Sequence, residues 1–199
     1  MGKAEKTRAA IIEQVAEVFN RKGYSGASLQ DLTEATQLTK GAIYGNFADK
    51  QEVAAEALKY NIDRIAAVIV ENRNSARCEA DRLMAYPNAY HAMYKWILSN
   101  GGCPIANTLT DADDTNPQLN RLALLFVKKW RRDVEKTVEA GKKSGEFLPD
   151  TNGSEIGKLL LTLISGGAML AKATQDHGFM DSALTQAEQI ISKQKSKSQ

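Results

Sequence analysis

The stretch "LTKGAIYGNFADK", Leu38 to Lys50, decides how this chain is read. It puts Gly41 and Gly45 inside a segment whose neighbours predict a short helix, with Ile43 and Phe47 four residues apart on one apolar face. Each glycine costs such a helix about 1 kcal/mol relative to alanine. A weakened outer face makes sense if the backbone of another molecule must come close to it. A side chain at 41 would hold that molecule away, whereas Gly45 is expected only to relieve crowding at the helix end.

Working outward, "SLQDLTEA" precedes this segment, with Ser28 and Asp31 at capping-box spacing and Leu29 and Leu32 as a small apolar face. Before it, Ile12, Val15, Ala16 and Phe19 fall at helical spacing until "KGYSG" ends the run. Helix, tight break and short helix is the helix-turn-helix arrangement, in which the second helix enters the DNA major groove and the first braces it. Burying Leu29, Leu32, Leu38, Ile43 and Phe47 against the first helix leaves Gln30, Thr39, Lys40, Ala42, Tyr44 and Asn46 pointing outward. Thr39 caps the second helix, where free N–H groups favour a phosphate oxygen. Lys40 suits a guanine edge or a phosphate, Gln30 an adenine edge or a phosphate, and Ala42 a thymine methyl. Tyr44, Asn46 and Lys50 suit phosphates on the flanks.

The run from Thr7 to Val53 resembles the DNA-binding domain of the TetR family of bacterial transcriptional regulators. The resemblance rests on Ser28 before the second helix, Lys40 with Gly41 opening the third, Tyr44 three residues before Phe47, and Lys50 at the start of the fourth. Two positions depart from the family's pattern: Gln37 stands where the turn usually has glycine, and Thr33 where the second helix usually has alanine. A glutamine held at positive φ costs on the order of 1 kcal/mol. The rest of the chain, with "GGCPIANTLTDADDTNP" and "AGKKSGEF", resembles the family's variable C-terminal domain more loosely. The resemblance implies an all-α fold with a dimerising domain that holds a small-molecule pocket. It also implies that ligand shifts the long helix starting at Asp49, so that DNA affinity falls.

Downstream, helical spacing continues. Asp49 and Glu52 cap a long fourth helix through about Val70. Leu83, Tyr86, Tyr90, Met93 or Tyr94 and Ile97 form a stripe that contains Pro87, where a kink or restart is expected. Asn116 with Pro117 opens a helix carrying Leu122, Phe126, Trp130, Val134 and Val138, which Gly145 follows. Asn152 with Glu155 caps a helix apolar on almost every side, and Leu184, Ala187 and Ile191 mark the last. The reading is nine helices: a helix-turn-helix DNA-binding domain over residues 1–48, an effector-binding and dimerisation domain over 49–192, and a disordered basic tail over 193–199.

The all-apolar helix needs cover on every side, and "SGGAM" at 165–169 removes side chains where helices would cross. Leu159, Leu163, Gly166, Gly167, Leu170, Leu184 and Ile191 are therefore expected at a homodimer interface. Two recognition helices about 34–36 Å apart would read a palindromic double-stranded operator. For an effector, Tyr86, Tyr90, Met93, Tyr94, Trp96 and Cys103 with Phe126 and Trp130 are the candidate lining, although aromatic stripes are more often plain core. Cys103, near a helix start, is either a thiol sensor or simply a small half-buried residue.

Composition narrows the alternatives. Residues 1–58 hold seven Lys or Arg against eight Asp or Glu, so bulk charge lends DNA binding no support and the case rests on where charges sit. That −1 balance favours the alternative reading, a helical ligand-binding or adaptor protein that reads no sequence. Two cysteines suit a reducing cytoplasm. No signal peptide is expected, and the apolar run Leu159–Ala171 is too short to span a bilayer. No catalytic constellation, cofactor motif or metal-ligand spacing is found; His91 and His177 stand alone.

Overall fold

The computed structural model describes residues 2–196. Its nine helices are α1 (Lys3–Gly26), α2 (Leu29–Thr36), α3 (Lys40–Tyr44), α4 (Lys50–Asn74), α5 (Glu79–Ser99), α6 (Pro104–Ala112), α7 (Pro117–Lys143), α8 (Gly153–Thr174) and α9 (Gly178–Ser192). They form two compact units. One takes the chain up to Arg64 together with Asn100–Leu124; the other takes Ile65–Ser99 and the chain from Leu125 on.

In the first unit the apolar positions expected from spacing make one core. Ile12, Val15, Ala16 and Phe19 of α1 meet Leu32 of α2, Ile43 and Phe47 of the α3 region, and Val53, Ala54 and Ala57 of α4. Ala112 and Leu119 close it. Near its end α1 is broken at Gly23, whose φ of 71° and ψ of 177° are not helical. A side chain there would put Cβ 2.4 Å from the Asp111 carboxylate, which accepts the Tyr24 N–H at 2.7 Å. Glycine is thus required twice, by backbone conformation and by close approach.

A set of asparagines holds the loop after α5 to α1 and α4. Asn20 donates to the carbonyls of Asn100 and Gly102, Asn100 donates to Asn61, and Asn61 donates to the Ala16 carbonyl. Asn20, Asn61 and Asn100 are buried, so these bonds satisfy groups that would otherwise be left without partners away from water.

In the second unit α8 packs against α9. A Cβ on Gly167 would lie 2.6 Å from the Ala183 Cβ, so the two helices meet at closest approach there. α5 runs through Pro87 as one assigned helix, with no restart. Proline has no N–H to give the Leu83 carbonyl, but the helix is buried on that side at Leu83, Tyr86, Pro87 and Tyr90, and packing holds it. The Glu146 carboxylate caps the start of α5 by accepting the Glu79 and Ala80 N–H groups at 2.7 and 2.8 Å.

One expectation is corrected here. Lys193–Ser196, expected to begin a disordered tail, is fastened to the segment after α7. Phe147 and Lys195 form an antiparallel bridge, Leu148 N–H donates to the Gln194 carbonyl, and Ser196 N–H donates to Glu146 at 2.8 Å. Backbone groups left unpaired beside the buried Phe147 recruit the chain end as partner. Residues 197–199 lie outside the described residues. The apolar run Leu159–Ala171 belongs to α8, a helix of 22 residues whose most apolar part has a mean hydropathy of 1.4. By length and composition only that helix is long and apolar enough to cross a bilayer, and one side of it is buried inside the subunit.

Candidate nucleic-acid interface

The α2–α3 region is assembled by local bonds of the kind its sequence specifies. Ser28 and Asp31 form the capping box, with Ser28 Oγ accepting the Asp31 N–H and Asp31 accepting the Ser28 N–H at 2.8 Å. The Lys22 ammonium and the Ser28 N–H hold the Asp31 carboxyl down at about 2. The turn after α2 puts Gln37 in the left-handed region at φ 54°, and its side chain donates back to the Glu34 carbonyl at 2.7 Å. That bond is local compensation for the conformation expected to be costly. Thr39 then caps α3, its Oγ1 accepting the Ala42 N–H at 3.2 Å.

On α3 itself Ile43 is fully buried while Thr39, Lys40, Gly41 and Ala42 are exposed. A Cβ built on Gly41 would meet nothing closer than Thr39 Oγ1 at 4.0 Å. Nothing inside the protein therefore demands glycine at 41. Gly45 is different: a Cβ there would lie 3.0 Å from the Gly41 carbonyl oxygen, the crowding foreseen at the helix end. Lys40 makes no ion pair or hydrogen bond among the described residues. Gln30 is exposed but donates to Glu34 at 2.8 Å.

The flanking residues divide. Tyr44 is half-buried and its hydroxyl has no hydrogen-bond partner among the described residues. Partial burial, with lesser help from Tyr24 and Asp49, pushes the phenol's pKa up, so it stays a neutral donor. Asn46 donates to the Ala42 carbonyl at 2.9 Å. Lys50, expected on a phosphate, is turned inward. Its Nζ donates to the Tyr24 carbonyl at the break in α1 and sits 4.5 Å from the centroid of the Tyr24 ring. Desolvation lowers its pKa, against the opposing pull of Asp111 and Asp31. The Tyr24 carbonyl at the α1 break offers this cation an acceptor that sequence spacing did not reveal.

In the second unit, Tyr86, Tyr90 and Trp130 are buried together, with ring centroids 4.5 Å apart for Tyr86–Trp130 and 5.9 Å for Tyr90–Trp130. Burial pushes the Tyr86 phenol up to about 12, and Arg73 donates to its oxygen at 3.3 Å. Trp130 Nε1 is buried and has no acceptor among the described residues. Met93, Tyr94, Trp96 and Phe126 are only half-buried. Tyr94 instead pairs its hydroxyl with His177 Nδ1. Cys103 is almost fully buried at the start of α6 in the first unit, a location that fits the small-residue reading rather than an accessible sensor.

Of the residues expected at a dimer interface, Leu159 and Leu170 are exposed, Leu163 and Gly166 are half-buried, and no atom approaches within 4 Å of a Cβ built on Gly166. Gly167, Leu184 and Ile191 are buried inside the subunit. α9 covers the Gly167 side of α8, so Gly167 serves the α8–α9 contact, while Leu184 and Ile191 lie in the subunit's own core and not on an outer surface. Met169 and Phe179, 55% and 40% exposed, join the outer face instead. The sequence carried a signal for Met169, which lies three residues past Gly166 on the same helix face.

Two family profiles cover the chain: "Bacterial regulatory proteins, tetR family" over residues 11–57, and "Tetracyclin repressor-like, C-terminal domain" over residues 80–187. Among solved structures, a TetR-family transcriptional regulator from Cytophaga hutchinsonii is 34% identical. It covers 100% of this chain and 99% of its own, with a TM-score of 0.91. A TetR transcriptional regulator from Chloroflexus aurantiacus is 28% identical over 98% of each chain, with a TM-score of 0.89. The HTH-type transcriptional repressor DhaR of Mycobacterium sp. is 22% identical over 178 residues, covering 89% of this chain and 88% of its own. Two domain profiles in their proper order, a full-length relative and a recognition helix with its polar face bare converge on one conclusion: the chain belongs to the TetR family of bacterial transcriptional regulators, DNA-binding proteins and not enzymes.

Proposed function

We propose that the protein is a homodimeric repressor that binds a palindromic operator through α3 and leaves it when a small molecule binds the second unit. The observation that carries the DNA half of this reading is the bare surface at Lys40–Ala42. Gly41 has no internal reason to be glycine, and beside it stand an unpaired ammonium and an exposed methyl. Lys40 and Ala42 then read base edges. Thr39, Tyr44 and Asn46, with Ser28 and Gln30 on α2, supply phosphate contacts, and Lys50 joins them on exchanging the Tyr24 carbonyl for a phosphate oxygen. In this reading residues 1–48 carry DNA recognition, and the chain from Asp49 on carries pairing and response.

Pairing is supported by the outer face of α8, where Leu159, Leu163, Met169 and Leu170 surround the open Gly166, with Phe179 of α9 alongside. A cluster of exposed apolar side chains around an unfilled glycine is suited to close packing by a second copy. The effector half is supported by Trp130, whose buried N–H lacks an acceptor among the Tyr86 and Tyr90 rings. A ligand bringing a carbonyl or carboxylate oxygen would satisfy it. The protein acts in the cytoplasm, where its operator is.

Selection of bound duplexes from a random pool tests the reading. Enrichment of a two-fold symmetric site with half-sites about one helical turn apart is the expected result. A pool that stays random at physiological salt, with folded protein, would remove both operator and repressor.

A further inference from the structure

Five residues make little more than one turn, and a helix that short is not stable by itself. α3 is secured at its entrance by the Thr39 cap; its exit is secured from α1. Arg8 donates through Nη1 to the Asn46 carbonyl at 2.6 Å and through Nη2 to Glu52 Oε1 at 2.5 Å. Its guanidinium carbon lies 4.1 Å from the centroid of the Phe47 ring, itself buried. The other Glu52 oxygen accepts the Ala48 N–H at 2.7 Å. Residues 46, 47 and 48 are thus gripped in succession by two side chains from neighbouring helices. A planar fork with several N–H donors and a flat face does this where an ammonium could not.

We propose that the Arg8–Glu52 pair is the positioning clamp of the recognition helix, setting the pose in which Lys40, Gly41 and Ala42 meet base edges without touching DNA itself. The proposal rests on the reading that α3 reads DNA. Arg8's donors and flat face are already engaged by a carbonyl, a carboxylate and a ring, and about a third of its side chain remains exposed. A partly exposed pair adds little to global stability, so its worth lies in holding geometry.

The experiment compares full-length wild type with Arg8→Gln, Arg8→Lys and Glu52→Gln. The probes are a duplex selected by the wild type from a random pool and an unrelated duplex of equal length. Arg8→Gln is expected to weaken the selected duplex about tenfold or more, leaving the unrelated one within about twofold and the salt dependence unchanged. Arg8→Lys, which keeps the charge facing Glu52 but not the fork, is expected to fall between. Without DNA, amide exchange at Gly45–Ala48 should accelerate in Arg8→Gln and Glu52→Gln while the thermal midpoint holds. Equal weakening on both duplexes with a shallower salt slope would make Arg8 a phosphate contact and overturn the proposal. So would a fall in midpoint that explains all the lost binding, or wild-type exchange and affinity. If the wild type selects no duplex, the DNA reading itself fails, and the exchange measurement alone still decides the clamp.

Discussion

Gly41 on α3 and Gly166 on α8 are both helical glycines that face open space, but they stand in different company. Around Gly41 are Thr39, Lys40 and Ala42, all exposed, on a helix too short to tolerate much disturbance. Around Gly166 are Leu159, Leu163, Met169 and Leu170, on a helix of 22 residues whose opposite side is fixed against α9. In the proposed function each unfilled glycine leaves room for a partner, and the neighbours suit a charged polymer with groove edges in the first case and an apolar surface in the second. Gly167, one residue from Gly166, shows the contrast within a single helix, since its space is already taken by Ala183.

The comparison can be broken most decisively at α3. Gly41→Leu should leave the fold intact or slightly more stable, because leucine favours helix by up to about 1 kcal/mol. It should still lower affinity for the selected duplex by about 100-fold, the equivalent of one or two base contacts. Fluorescence anisotropy beside a thermal melt measures both; retained affinity would show that no backbone approaches there. Next comes the pair on α8. Gly167→Val should cost about 1–3 kcal/mol of unfolding free energy by overpacking, regardless of protein concentration. Gly166→Leu should instead weaken pairing, and its loss of stability should recover as concentration rises. Urea unfolding at two protein concentrations separates them, and identical behaviour would end the distinction between inner and outer glycine.

A smaller effect is expected from the cap. Thr39→Ala removes the acceptor for the Ala42 N–H and should cost about 1 kcal/mol, confined to α3. Hydrogen exchange at residues 40–44 reads this directly. The smallest effect is the pH dependence of the α2 cap. Asp31 titrates at about 2 in the native state against 3.8 for the free group. Its native value is depressed, so its stabilising contribution is complete above the unfolded value and disappears as pH falls from about 4 toward 2. Asp31→Asn should therefore differ from wild type in urea midpoint at pH 6, and the gap should shrink as pH falls from about 4 toward 2. A gap of constant size would mean that the carboxyl is not held by Lys22 and Ser28.

Much of the first unit was legible in the sequence because its determinants are local. The capping box at Ser28, the Thr39 cap, the left-handed Gln37 and the Ile43–Phe47 face all join residues within four positions of each other. The determinants that were missed join distant ones. Arg8 meets Asn46 and Glu52, 38 and 44 positions away, and Asn20 meets the 100–102 loop, 80 or more away. No periodicity marks such pairs, so neither the Arg8 contacts nor the joined Asn20, Asn61 and Asn100 could be found from spacing. The inward contact of Lys50 was missed for the same reason, since its acceptor on Tyr24 lies at the break of α1 at Gly23.

The amino-acid order alone determined the number and kind of elements, the helix-turn-helix and the glycine at 41, because helix period, caps and turns act over one or two turns of chain. Packing alone decided which side of α8 faces outward, which of its two glycines is filled, and what clamps the recognition helix. Those outcomes depend on which surfaces have already been covered, and no segment of sequence records that by itself.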